Sequence, residues 1–113
     1  MSNLVLGILY FAVGQIMIWY QTNGQFKWKW VAEHPITMSL IFGSIISYTF
    51  IMGTKHIVEH FGVLWPGRLI GFGIGALTFG ILTYIYMGEG ITAKTAVSLV
   101  LALTLVLIQI FWK

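Results

Sequence analysis

Only six Lys/Arg and three Asp/Glu are spread over 113 residues, of which 58% are hydrophobic, and the mean hydropathy is +0.91. That is too little charge to clothe a water-soluble domain, so the chain reads as one polytopic membrane unit over residues 1–113. The formal charge of +3 forms no basic run, which gives nucleic-acid binding no footing, and the lack of cysteine excludes disulfides and thiolate chemistry.

The first predicted membrane helix is Leu4–Tyr20, LVLGILYFAVGQIMIWY, extendable to Ser2–Thr22. It has no basic n-region and no small-x-small site, so it is read as a span and not as a signal peptide. Gln15 is its strongly polar mid-span residue. Phe11 and Trp19 flank it one turn away on the same face, and Gly14 beside it offers a point of close approach. A buried amide must satisfy donors and an acceptor, so Gln15 is expected to face the bundle. It serves there either as an interhelical hydrogen bond or as a substrate-binding amide in a central cavity.

Thr22–Asn23–Gly24–Gln25 is a turn, and Phe26–Lys27–Trp28–Lys29–Trp30 alternates aromatics with lysines. That pairing suits the headgroup region, so the stretch is read as interfacial, a short amphipathic turn. Pro35 can open the second helix, whose uncharged part is Ile36–Gly53. Ser39, Gly43 and Ser47 form a small-residue stripe expected to pack on another helix. Beyond it, Thr54–Phe61 can prolong the helix into the interface, with Lys55 and Glu59 as an i,i+4 pair and Gly62 as the stop. His56, Glu59 and His60 also have spacing a metal could use, but a wet helix end accounts for them better, and neither metal nor cofactor is expected.

Val63–Arg68 is a tight re-entry in which Trp65 and Arg68 are candidate interface anchors. The third span, Leu69–Met87, is uncharged and rich in glycine. Gly71 and Gly75, continued by Thr78, make one strip, while Gly73 and Gly80 make a second. In water each such glycine would cost the helix about 1 kcal/mol relative to alanine. In lipid the backbone must satisfy itself, so the helix persists and the bare strips admit another backbone. They either seat neighbouring helices or line a narrow passage. Gly88–Glu89–Gly90 is a turn, Thr92–Ala93–Lys94 opens the last helix, and Thr95–Trp112 is the fourth span. Its stripe Ser98, Ala102, Leu105, Gln109 and Trp112 is expected to look inward or toward a second protomer.

The expected fold is therefore all-α, an oligomeric bundle of four transmembrane helices with consecutive helices as antiparallel neighbours. Lys55, Arg68 and Lys113 fall on one side of the membrane, against Lys27, Lys29 and Lys94 on the other. With the count balanced, a dual or weakly fixed topology is expected. Reporter fusions at the C-terminal end should then give signal on both sides. Strictly single-sided signal would exclude dual topology, and two lysines added to one terminus should bias it.

Four short helices, a polar residue midway along the first and a glycine-rich third resemble the small multidrug resistance branch of the drug/metabolite transporter superfamily. Leu64–Trp65–Pro66–Gly67 stands where that family has aliphatic–Trp–Ser–Gly, and Gly88–Glu89–Gly90–Ile91–Thr92 is similar to its Gly–Glu–x–Leu/Ile–Thr hinge. The resemblance implies a homodimer, commonly antiparallel, that alternates access to a central site in a prokaryotic-type inner (plasma) membrane. The family's proton-coupling glutamate is replaced here by Gln15, which cannot take up and release a proton. Gly14–Gln15 looks more like the superfamily's small lipid-sugar flippase subunits. By the same resemblance Trp65 would contact substrate, which competes with its reading as an anchor.

The leading expectation is a transporter or flippase for a small organic or lipid-like solute, with a cavity lined by Gln15, Trp19, Tyr48, Trp65 and Tyr84. Gly43, Gly71 and Gly75 would pack its helices. The alternative is a non-transporting accessory subunit of a membrane complex, favoured by the absence of ionisable groups inside the four spans. An enzyme is not expected, because Glu33, His34, His56, Glu59 and His60 all lie near span ends.

Overall fold

The computed structural model describes residues 2–112, so Lys113, which enters the charge balance above, lies outside the described residues. Four long helices cross the molecule: α1 (Asn3–Asn23), α3 (Pro35–Phe61), α4 (Trp65–Met87) and α5 (Ala93–Phe111). All four are long and apolar enough to span a bilayer. A 3-10 turn at Gly24–Phe26 and a short helix α2 (Lys29–Glu33) fill the interfacial connection where a single amphipathic turn was expected.

Local chemistry sets the ends. The Ser2 side chain accepts from Val5 N–H at 3.2 Å to start α1, and Thr92 does the same for Thr95 to start α5. Proline stands in the first turn of both α3 and α4, where no amide donor is missed. Helix α3 ends on Gly62 at φ 79°, a left-handed conformation that suits glycine, so the helix runs past Gly53 through the charged segment as anticipated. The ion pair anticipated there is not formed; within 4 Å the described residues hold one pair, Lys29–Glu33 at 3.7 Å. His56 instead stacks on Tyr10 and meets Asn3 Oδ1 at 2.8 Å.

The helices stand in the order α3–α1–α4–α5, giving a flat body of 46 × 36 × 21 Å. The antiparallel pair α1/α3 makes the most extensive contact, by exchange of glycines for bulk. A Cβ at Gly53 would come within 2.8 Å of the Phe11 ring, and one at Gly14 within 2.6 Å of Thr49 Oγ1. Helix α5 packs chiefly on α4, where Gly73 receives Val106 and Gly80 receives Leu99. Phe11, Ile57, Ile70 and Val106 form the core, each nearly or wholly buried. Because lipid is as apolar as these side chains, their fit holds the helices by dispersion, with little hydrophobic drive.

One expectation changes. Consecutive helices α3 and α4 meet only modestly, because α1 sits between them and runs parallel to α4. On α5 the face toward α4 is Leu99–Ala102–Val106, with Ser98 and Trp112 exposed. Leucine and valine surround this helix, so size matching against Gly73 and Gly80, not polarity, fixes its rotation.

The outside suits hydrocarbon. Leu40, Ile51, Ile81, Ile85, Val100 and Leu101 are all more than half exposed. Exposed hydroxyls are returned to their own helix, Ser39 to Pro35 O, Ser44 to Leu40 O and Thr104 to Val100 O, within 3.0 Å.

Candidate functional site

A mid-span amide in an apolar helix needs a partner, and the parallel run of α1 and α4 provides one. Gln15 Nε2 donates to Gly71 O at 3.4 Å, a long bond. Its carboxamide fills the space left bare by Gly75, where a Cβ would stand 2.9 Å from Gln15 Cδ, Nε2 and Oε1. The Gly71–Gly75 strip therefore receives a polar side chain, not another backbone. Gly71 itself is different. A Cβ there would meet no atom within 4 Å, because it faces open space.

That space is a cleft of about 370 Å³ bordered by α1, α3 and α4. Phe11 and Gln15 line it from α1, Phe50 and Thr54 from α3, and Arg68 and Phe72 from α4. On the other side of Gln15 lies a second cleft of about 200 Å³, bounded by Trp19, Asn23, Gly75 and Phe79. A third, about 180 Å³, shares Trp19, Asn23 and Phe79 with it and reaches Thr83 and Glu89. The three form a string along the α1/α4 seam, with Arg68 at one end, Glu89 at the other and Gln15 between.

Trp19 is the wall of this string. It is 2% exposed, and its indole N–H donates to Thr83 Oγ1 at 3.0 Å. Beside it Tyr20 OH donates to Tyr86 OH at 2.6 Å, and Lys27 Nζ donates to Tyr86 O at 3.2 Å. These aromatics tie the α1 and α4 ends at the interface, where amphipathic rings are favoured.

Of the five substrate-contact candidates, Gln15 and Trp19 come together. Tyr48 is 56% exposed and edge-on to Tyr10, on the α1/α3 side. Tyr84 is 57% exposed and lines a fourth cleft with Gly80 and Thr95 toward α5, which shares Phe79, Thr83 and Glu89 with the third. Trp65 stands 73% exposed at the first position of α4, while Leu64 beside it lines the large cleft. Among the packing glycines, Gly43 has the Gln21 Oε1 atom at 3.9 Å from a built Cβ, so the Ser39–Gly43–Ser47 stripe makes no tight helix contact. Phe50, Thr54, Arg68 and Phe72 were missed as cleft residues. For Arg68 a signal existed, since it stands one turn C-terminal to Leu64 and one turn before Phe72 on the same helix face.

Among the described residues no three His, Cys, Asp or Glu side chains gather as a metal site would require. By its fold and surface the chain is an all-α, four-helix integral membrane protein. Comparison with protein families, curated proteins and solved structures finds no match.

Proposed function

We propose that the protein is a small membrane transporter or flippase, working as a homo-oligomer by alternating access around Gln15. The observation that carries this is a mid-span amide held by one long bond between two clefts in an otherwise apolar bundle. A structural hydrogen bond needs neither cleft. A carrier needs both, so that a polar group can be passed from one to the other as the α1/α4 seam opens. The resemblance to the small multidrug resistance branch, and through Gly14–Gln15 to lipid-sugar flippase subunits, points the same way. It suggests an antiparallel dimer in a prokaryotic-type plasma membrane and a small organic or lipid-like substrate. Glutamine in place of glutamate makes the family's proton coupling the wrong mechanism for this chain. The accessory-subunit reading draws on α5, whose outward face of Val97, Val100, Leu101 and Leu107 is exposed.

The test is flux in proteoliposomes of a fluorescent phospholipid and, separately, of a soluble organic dye. Wild-type protein should accelerate one of them over protein-free vesicles. Gly71→Leu adds a side chain into open cleft space, so it should keep the fold and return flux to the protein-free rate. Wild-type protein that is folded yet moves neither tracer would leave the accessory reading standing.

A further inference from the structure

The large cleft has a charge asymmetry that its apolar walls make consequential. Arg68 lines it and, among the described residues, no acidic side chain does. Among the described residues no carboxylate pairs with Arg68, and its guanidinium lies 4.8 Å over the Phe72 ring. Leu64, Gly67 and Arg68 bring the start of α4 to the same opening, and no side chain caps that 23-residue helix. A guanidinium and the positive end of a helix dipole thus face one space, an arrangement that favours an anion. Thr54 adds a hydroxyl from the opposite wall.

The remaining walls decide what kind of anion. Phe11, Phe50, Phe72 and Leu64 present rings and a branched chain from the Arg68 end down to Gln15. A small hydrophilic anion would gain nothing from them, whereas an acyl chain would. Arg68 lies in the first turn of a membrane-spanning helix, at the depth where headgroups sit. The cleft, about 370 Å³, is large enough for a headgroup and the start of one chain, with the rest in the bilayer. Basic pockets between transmembrane helices hold anionic lipid headgroups in this way.

We propose that this cleft binds an anionic phospholipid, with phosphate at Arg68 and the start of α4 and one chain laid along the phenylalanines toward Gln15. The assignment names the substrate class of the working cavity and so rests on the transport reading. It also separates this chain from a carrier of cations, since a cation in the cleft would meet Arg68 and no carboxylate.

The experiment is native mass spectrometry of the full chain in detergent with phosphatidylglycerol or phosphatidylcholine of identical acyl chains. Phosphatidylglycerol should be retained about tenfold better, the difference a charged hydrogen bond makes. Arg68→Gln should erase that preference, and Arg68→Lys should keep part of it. Lys55→Gln, which alters a cation at the same end but outside the cleft, should leave it intact. Inorganic phosphate should not displace the lipid. Equal retention of the two lipids, a preference that survives Arg68→Gln, an equal loss in Lys55→Gln, or displacement by inorganic phosphate would each overturn the proposal. Should Arg68→Gln not fold, Gly71→Leu obstructs the same cleft, and full lipid retention by it would be equally fatal.

Flux of fluorescent phosphatidylglycerol then separates the two readings. Arg68-dependent retention without flux above protein-free vesicles removes transport and leaves the lipid site. Lipid flux unchanged by Arg68→Gln removes the lipid site and leaves transport.

Discussion

Gly73→Leu is expected to lower thermal stability in detergent more than a substitution at any other glycine of the α4 span. A Cβ at this position would overlap the Val106 side chain and stand 2.8 Å from Ala102 O, a main-chain atom that cannot turn aside. Overpacking costs about 1–3 kcal/mol where side chains can adjust, and displacement of backbone puts this case at about 3 kcal/mol or above. Gly75→Leu should cost less, about 1–2 kcal/mol, although its Cβ meets Gln15 at 2.9 Å. The Gln15 carboxamide is the far end of a flexible side chain with a cleft on either side to swing into. Parallel melting curves check the ranking. Gly73→Leu melting together with wild type would mean that α5 is not seated on α4.

The second large effect is functional and comes from Gln15→Glu, nearly isosteric but titratable. In its protonated form the glutamic acid can donate to Gly71 O as the amide does, so the variant should behave like wild type at low pH. The ionised form has no proton to donate and sets negative charge against a carbonyl oxygen. It also puts an acid between the two clefts, where a cation would find its counter-charge. Flux of a lipid tracer and of a cationic dye, measured from about pH 4 to about pH 8.5 so that the window starts near the ordinary carboxyl value, should diverge progressively from wild type as pH rises. The lipid tracer should slow and the cationic dye should speed up. A folded variant whose flux matches wild type across that range would show that Gln15 does not line the working site.

Much of the fold is legible in the chain because the bilayer enforces it. Uncharged stretches of sufficient length mark the four spans, and Pro35, Gly62 and Gly88 mark where helices start and stop. Gln15 announces itself, since a lone amide at mid-span must find partners. Its partner does not. Gly71 offers a backbone carbonyl, a group every residue carries, and it becomes special only once α1 lies parallel to α4. The two glycine strips are visible as strips, but their occupants are set by register: an amide on one, Val106 and Leu99 on the other. The Ser39–Gly43–Ser47 stripe has the same spacing but seats no helix of the same chain, because Gly53 and Thr49 serve that role on the neighbouring face. Tyr48 and Tyr84 illustrate a related limit. Being aromatic and within a span is equally compatible with a cavity wall and with a lipid-facing ring: both are more than half exposed, yet Tyr84 lines a cleft and Tyr48 stands against Tyr10. Arg68 is legible for its depth alone, while its place in the cleft depends on α1 and α3 bordering the same space as the start of α4.

The position of α5 at the end of the row has a consequence for how the protein is made. As the chain leaves the ribosome, α1, α3 and α4 can reach their places before α5 is synthesised, because α1 binds both of the others. Until α5 arrives, Gly73 and Gly80 lie along an unfilled seam facing lipid, and any helix bearing a valine and a leucine at the right spacing could settle there first. The Gly88–Glu89–Gly90 link, only a few residues long, answers that competition by keeping the proper α5 at high local concentration beside its groove.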